Sequence, residues 1–289
     1  MFRHTAVKFV GGLALALFTA SAAFSQSNLD DLRNKIASGS IENKRDALFA
    51  IRNLQTAEAS RIAVPALQDP NELVRASAPA AVEFLPGAEA AALIVPLLAD
   101  RAEFVRREAA GALGYTRDRS ATGPLISRLE KDGSEAVRSA AAVALGRIGD
   151  PLAVHTLSAV LKRKPGADDE YLRRSAARSI GQIAQIIRTG KDRVDTPHDF
   201  LPDKFKEKGP KAEPATTAFP VFRAALSILL TVLGNRNEAD DTRREAAFAL
   251  GAIGDISAKP VLLQNLNSSD NYLAEICKEA LLKIDQPDK

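Results

Sequence analysis

The sequence contains few of the residues that build disulfides, metal sites and aromatic cores. Its 289 residues include no Trp, one Cys and three His, and only 5% of the side chains are aromatic. A single cysteine excludes an intramolecular disulfide. Because large aromatic side chains are scarce, close packing of Ala-rich helices must supply the hydrophobic core.

Motifs for catalysis and for metal binding are also missing from the sequence. We find no nucleophile elbow, no Gly-rich phosphate loop and no paired cysteines. His198 lies close to Asp195 and Asp199, but one histidine beside carboxylates is a weak signal for a metal site. We therefore expect no cofactor, no metal and no enzymatic activity.

The first 25 residues have the pattern of a signal peptide. Arg3 and Lys8 precede a short apolar run at residues 10–18, and small residues follow at positions 21–25. The apolar run is short for a membrane span. We expect cleavage and a periplasmic or secreted mature chain of residues 26–289, the alternative being an uncleaved N-terminus that tethers the protein to the membrane.

The charge balance gives no argument for an anionic partner. The whole chain has 39 basic and 36 acidic residues. Arg3 and Lys8 leave with the signal peptide, which reduces the 39 basic residues to 37 and the net charge to about +1. Neither nucleic acid nor an anionic membrane is predicted as a partner from so small a net charge.

One helical pattern recurs along nearly the whole chain. Its clearest copy, residues 137–150, reads Val-Arg-x-x-Ala-Ala-x-Ala-Leu-Gly-x-Ile-Gly-Asp. In the copy that starts at Val105, the apolar residues Ala109, Ala112 and Leu113 fall on one face of a helix. The positions that align with Val105 are Asn43, Val74, Val137, Leu172, Thr242 and Leu273. Most steps are 31 or 32 residues, which fits two short helices and two turns in each repeat.

This pattern resembles the HEAT-like repeat of the phycobilisome-lyase type, within the group of HEAT and armadillo repeats. The resemblance implies an all-α fold, a right-handed α-solenoid of about seven two-helix repeats. The family named by this resemblance includes lyases of bilin pigments, so the resemblance also suggests a lyase activity. A bilin lyase is not expected here, because the chain carries an export signal and because Cys277 aligns with the core residue Ala246.

In most copies an arginine follows the first apolar residue. This pattern predicts a contact between neighbouring repeats. These arginines are Arg75, Arg106, Arg138, Arg173 and Arg243. In repeats of this kind, the resemblance implies that such an arginine pairs with an aspartate of the turn between repeats, here Asp118, Asp150 or Asp255. We therefore expect the arginines to link neighbouring repeats rather than to bind a ligand.

The step of 70 residues between Leu172 and Thr242 contains an insertion. Residues 189–217 include four prolines and equal numbers of basic and acidic side chains, and cannot form a regular repeat. We expect a flexible insertion within one solenoid domain, residues 26–289.

Some positions of the second helix of each repeat point away from the core, and the resemblance places them on a concave surface. The partner-binding residues predicted there are Phe49, Arg107, Val143, Arg174, Arg178, Arg244 and Phe248. Mixed aromatic and arginine side chains are typical of protein interfaces, although single exposed apolar residues are also normal on surfaces. We expect a basic, partly apolar groove and a noncatalytic exported scaffold or adaptor for a protein or peptide. The alternatives are an enzyme or its accessory subunit, which binds a small ligand, and a membrane-tethered structural component.

Overall fold

The computed structural model describes residues 27–166, 169–190 and 213–285, which form seven helix pairs stacked into an α-solenoid. Every regular element in these residues is helical. None of their helices has the length and apolar character needed to cross a bilayer. The predicted signal peptide and most of the predicted insertion lie outside these residues.

Each pair consists of a short first helix and a second helix that is usually longer. The first helices are α1 (27–38), α3 (Ala57–Ala63), α5 (Gly87–Ile94), α7 (Thr122–Lys131), α9 (Val154–Lys162), α12 (Val221–Gly234) and α14 (Lys259–Gln264). The second helices are α2 (Ile41–Leu54), α4 (Glu72–Val82), α6 (Glu103–Thr116), α8 (Glu135–Ile148), α10 (Glu170–Thr189), α13 (Asp240–Ile253) and α15 (Asn271–Asp285). A single turn, α11 (Ala215–Ala218), precedes α12.

Local sequence signals explain where these helices begin and end. The side chains of Ser40 and Ser134 accept hydrogen bonds from backbone amides in the first turns of α2 and α8. At the other end, α8 stops at Gly149, whose φ of 75° lies in the left-handed region that glycine adopts without strain. Pro65 and Pro96 turn the last residues of two first helices into 3₁₀ segments, since proline cannot donate to the helical ladder.

The predicted apolar stripe forms the core. Val105, Ala109 and Leu113 are each fully buried, and Ala112 is 4% exposed. Each second helix packs against the second helix of the next repeat, and α10 packs directly on α13. The long connection between these two helices therefore leaves the stack continuous. Thr189 belongs to α10, and residues 215–217 belong to α11, so both ends of the predicted insertion are helical.

Small residues let successive second helices approach very closely. A Cβ atom built on Gly114 would lie 2.8 Å from the Cα atom of Ala144, and one built on Gly251 would lie 2.7 Å from the Cα atom of Ala280. These distances are far below normal van der Waals contact, so only glycine fits. The prediction that close Ala-rich packing replaces aromatic side chains is confirmed.

A ladder of ion pairs joins the repeats along one edge of the solenoid. We call the connection from a first helix to its own second helix the within-repeat turn. Arg75 Nε and Nη2 donate to the two carboxylate oxygens of Asp100 in the next within-repeat turn, at 2.8 and 3.1 Å. Arg106 binds Asp132 in the same way, at 2.8 and 2.9 Å. Two-point pairs of this kind fix orientation as well as charge.

The same arginines also hold their own turns. Arg75 Nη1 donates to the carbonyl oxygens of Asp69 and Pro70, at 2.8 and 3.0 Å. Lys44 begins the ladder with a bond of 2.6 Å to Asp69, and Arg173 continues it with a buried pair to Glu238. Each rung therefore connects one turn to the next.

The prediction that these arginines tie neighbouring repeats together is correct for Arg75, Arg106 and Arg173, and for Arg243, which donates to Asn265 of the next repeat at 2.9 Å. It is wrong for Arg138, which donates to carbonyl oxygens of its own turn and has no partner in the next repeat among the described residues.

The predicted partners of the other arginines are wrong. Asp118, Asp150 and Asp255 cap the segments that follow them, where they accept from the amides of Ser120, Leu152 and Ser257. The reason is the direction in which the arginine side chains point. Side chains in the first turn of a helix tilt toward its N-terminus, so these arginines reach the within-repeat turn and not the turn at the opposite edge.

We predict that Gly251→Ala destabilises the protein by about 1–3 kcal/mol, because its Cβ would overlap the backbone of Ala280. Gly111→Ala is the matched control. A Cβ at Gly111 meets no atom within 4 Å, so this change should stabilise helix α6 by up to about 1 kcal/mol. Urea denaturation of both variants measures the difference, and equal stabilities would contradict the packing argument.

Candidate binding surface on the second helices

The second helices present matching rows of side chains on the side of the stack opposite the first helices. We call this side the inner face. One row, the leading row, stands one residue before the position that aligns with Val105 in each second helix, a position that is buried in every repeat but the first. It consists of Glu42, Leu73, Phe104, Ala136, Tyr171, Asp241 and Tyr272.

The larger groove on the inner face has a volume of about 570 Å³ and crosses α2, α4 and α6. Its apolar lining includes Phe49, which is 65% exposed, Leu73, which is 43% exposed, and Phe104. Ala76 and Ala80 line the groove where α4 crosses it. The charged lining residues are Glu42, Arg45, Asp46, Arg52, Arg107 and Glu108. Large apolar groups beside small side chains leave room for the backbone of a partner.

A second groove, of about 420 Å³, continues from the first across α6, α8 and α10. It is lined by Arg107, Glu135, Ala136, Ala140 and Tyr171. Arg107 lines both grooves. The inner face of repeats one to five therefore carries two adjoining grooves that share Arg107.

The structure separates the predicted partner-binding residues into three groups. Phe49 and Arg107 line the larger groove. Val143 and Phe248 are only partly exposed, and the ring of Phe248 lies against the backbone of Gly181. Arg174, Arg178 and Arg244 lie on the inner face of repeats five and six but outside both grooves.

The three arginines of the last group are engaged in ion pairs with neighbouring second helices. Arg174 binds Asp241 at 2.8 Å, and Arg178 binds Glu245 at 2.8 Å. Arg244 binds Asp270 at 2.8 Å. The prediction of a basic surface through the middle of the solenoid therefore does not fit this part of the inner face, because acids one repeat away neutralise the arginines.

Sequence reasoning missed the leading row, although a signal for it was present. Leu73-Val74, Phe104-Val105 and Tyr171-Leu172 are apolar pairs at a place where the core stripe requires one residue. The second member of each pair is buried, and the first projects onto the inner face. A surplus apolar residue beside a core position was the available indication of the groove.

All three tyrosines of the chain lie close to arginine side chains. The guanidinium of Arg147 lies 4.2 Å from the ring centre of Tyr115. Arg174 lies 5.0 Å from the ring centre of Tyr171, and Arg244 lies 5.3 Å from that of Tyr272. Such stacking holds long side chains in place. Of the three tyrosines, Tyr171 lines the second groove.

The described residues include one cysteine, Cys277, and one histidine, His155. Burial raises the pKa of the Cys277 thiol to about 11, so this sulfur stays protonated at neutral pH and is a poor nucleophile. His155 is exposed on a first helix. No group of histidine, cysteine and carboxylate side chains capable of holding a metal ion occurs in the described ranges. The weakly predicted site at His198 lies outside them.

These features define an α-solenoid of two-helix repeats with a grooved inner face. Residues 94–181 match the family model of HEAT repeats, and residues 242–268 match that of the PBS lyase HEAT-like repeat. The chain thus contains HEAT-like repeats, and both the predicted resemblance and the predicted all-α solenoid are confirmed. No curated protein matches the chain.

Several solved structures have a similar fold. An engineered protein shares 19% identity with a TM-score of 0.52, covering 89% of this chain and 68% of its own. The complex of CpcE and CpcF of phycocyanin lyase from Nostoc sp. PCC7120 shares 21% identity with a TM-score of 0.49, covering 89% and 88%. A designed armadillo repeat protein in complex with the peptide (KR)4 shares 17% identity with a TM-score of 0.45, covering 89% and 99%. Identities this low establish likeness of fold alone.

One carboxyl group near the larger groove has a strongly shifted pKa. Burial raises the pKa of Glu83, at the end of α4, from its ordinary value of 4.5 to about 7. The positive charges of Arg52 and Arg147 oppose this shift without cancelling it. Arg52 also lines the larger groove, whereas Glu83 does not.

We predict that the free energy of unfolding falls as the pH rises from about 5 to about 8. A raised pKa means that the folded state binds the Glu83 proton more tightly than the unfolded state, so its stability is greatest below this range. Glu83→Gln should remove much of the decrease. Urea denaturation across this pH range tests the effect, with Glu58→Gln, a change at an exposed site, as the control. A pH profile unchanged by Glu83→Gln would contradict the assignment.

Proposed function

We propose that the protein is a noncatalytic exported scaffold or adaptor that binds a segment of a protein or peptide on its inner face. The observation that carries this proposal is the pair of adjoining grooves across repeats one to five. The grooves combine exposed apolar side chains with small neighbours and with Arg107. Aromatic and arginine side chains in such settings dominate the energy of many interfaces.

The binding energy would come mainly from the apolar part of the larger groove. Phe49 is 65% exposed and Leu73 is 43% exposed. Burying a side chain of this kind against a partner contributes about 1.5–3 kcal/mol. Arg107 is 47% exposed, and its hydrogen bonds go to the adjacent Glu108, which is also exposed. Exchanging this weak pair for a partner's carboxylate or carbonyl costs little.

The small side chains favour an elongated partner. Ala76, Ala80, Ala136 and Ala140 line the two grooves along α4 and α8, and the Cβ position of Gly111 opens onto free space. A peptide backbone can therefore approach α4, α6 and α8 closely. Its apolar side chains would contact Phe49, Leu73 and Phe104 at one end and Tyr171 at the other.

Export is part of this proposal and is supported by residues 1–25 of the sequence. The expected location of the mature chain is the periplasm or the extracellular space. We predict that the protein recovered from its native host begins within a few residues of Gln26, as measured by intact mass. A recovered mass that includes residues 1–25 would contradict cleavage and would favour a membrane tether.

We predict that Phe49→Ser together with Leu73→Ser weakens partner binding by about tenfold or more, because both apolar contacts are lost. The matched control is Leu152→Ser with Ile256→Ser. These residues are 73% and 70% exposed and lie in turns between repeats, away from both grooves. The chain is used to isolate its partner from the native envelope fraction, and the affinity of the purified partner for each variant is then measured.

Equal affinities for the groove variant and the control variant would overturn the proposed site. Circular dichroism of each variant shows whether the helices persist. Retention of affinity by Arg107→Gln would limit the site to its apolar part, whereas the complete absence of a stoichiometric partner would overturn the scaffold function.

A further inference from the structure

One position of the second helices, nine residues after the position that aligns with Val105, faces the next second helix at short range. We call it the contact position. In repeats three to six it holds glycine, at Gly114, Gly146, Gly181 and Gly251. In repeats one and two it holds Arg52 and Glu83. The first part of the solenoid therefore has charged side chains at a position where the following repeats have no side chain.

Glu83 is partly buried and lies within the influence of arginines from two other helices. Burial raises the pKa of its carboxyl group to about 7, and the charges of Arg52 on α2 and Arg147 on α8 oppose this rise. The other elements packed against α4 add no charge that acts on Glu83 within the described ranges. The carboxyl group forms no hydrogen bond or ion pair with a described residue. Two positive charges thus act on Glu83 without contacting it.

Arg147 belongs to repeat four, and its side chain runs across the second helix of repeat three. Helix α6 lies between α4 and α8, since it packs against both. A Cβ atom built on Gly114 of α6 would lie 3.3 Å from Arg147 Cδ. A larger residue in place of this glycine would therefore occupy the path of the arginine. Through this gap the charge of Arg147 acts on Glu83, which belongs to repeat two.

The guanidinium of Arg147 lies over the ring of Tyr115 on α6, 4.2 Å from the ring centre. Tyr115 is 53% exposed. Among the described residues, no carboxylate contacts Arg147. An arginine on an exposed ring is held weakly, whereas a carboxylate that accepts hydrogen bonds from arginine is held more strongly. Arg147 therefore contacts a weak partner, and its charge acts on a carboxyl group that would be a stronger one.

The proton on Glu83 decides which of these partners is favoured. A protonated carboxyl group has no charge to attract Arg147, so the stacked arrangement is favoured. An ionised carboxylate in a partly buried place is stabilised by contact with a positive charge. Arg147 is better suited to this contact than Arg52, because Arg52 is exposed and its charge is screened by water and salt.

We propose that Arg147 is a switch that responds to the proton on Glu83. While Glu83 is protonated, the guanidinium stacks on Tyr115. Once Glu83 is ionised, the guanidinium leaves the ring and donates to the carboxylate, which joins repeats two and four across α6. The larger groove crosses α4 and α6, so the switch acts on helices that form it. The proposal does not rest on the function proposed above.

The test follows the ring signals of ¹³C-labelled tyrosine by NMR between about pH 5 and about pH 8. The chain has three tyrosines, and Tyr115→Phe assigns the signal of interest. Signals of Tyr115 should titrate with a midpoint above 4.5 and no higher than about 7, the ordinary and the raised pKa of Glu83. Ionisation of the phenol itself lies near pH 10, roughly, and does not interfere.

Tyr171 and Tyr272 are internal controls, because they also stack with arginines. Those arginines, Arg174 and Arg244, are held by ion pairs of 2.8 Å. Their signals should stay constant over the same pH range. Constant signals from these two tyrosines in each variant also show that the fold persists.

Two variants separate the switch from a direct effect of charge. Glu83→Gln should remove the titration and hold the Tyr115 signals at their low-pH position. Arg147→Gln should remove most of the change, because the ring then loses its moving neighbour. Glu58→Gln, at an exposed site, should titrate as the wild type does.

Three results would overturn the proposal. The first is a set of Tyr115 signals that stays constant between about pH 5 and about pH 8 in the wild type. The second is a titration that persists in Glu83→Gln. The third is an equal change in Arg147→Gln, which would mean that the ring senses the charge of Glu83 directly and that the arginine does not move.

Discussion

The close approach of successive second helices is the constraint on which the rest of the structure depends. With so few aromatic residues in the chain, the buried stripe consists largely of alanine with single leucine, valine and isoleucine residues. Such side chains fill space only when the helices lie close together, and Gly114 and Gly251 make this possible. Because successive second helices lie close together, matching side chains of neighbouring repeats form continuous rows.

The rows differ in character along the chain. In repeats one to four, the leading row carries Glu42, Leu73, Phe104 and Ala136, and the grooves lie beside them. In repeats five to seven, arginines and acids on adjacent helices neutralise one another, with tyrosine rings near two of the arginines. The first part is suited to contact with a partner, whereas the second is stabilised by its own contacts.

Periodicity in the sequence was sufficient to predict the fold. The spacing around Val105 identified the buried face, and the step between copies identified the helix pair. The partners of the arginines were not predictable from spacing alone, because Asp100 and Asp150 both lie near a helix end and only the tilt of the side chain distinguishes them. Only part of the candidate surface was found. Phe49 and Arg107 line the groove, but the pairing of Arg174, Arg178 and Arg244 depends on contacts between repeats that a single repeat does not reveal.

The ladder of ion pairs is interrupted at Arg138, and the interruption has a mechanical consequence. Repeats four and five are joined on the side of the first helices, where Thr122 binds Asp150 at 3.0 Å and Thr156 binds Glu130. On the edge of the within-repeat turns, no ion pair among the described residues crosses this step, although one crosses each of the three steps before it. The step between repeats four and five therefore depends on the packing of α8 against α10 instead of on charge. This packing is close, since a Cβ atom built on Gly146 would lie 2.6 Å from Ser179 Oγ.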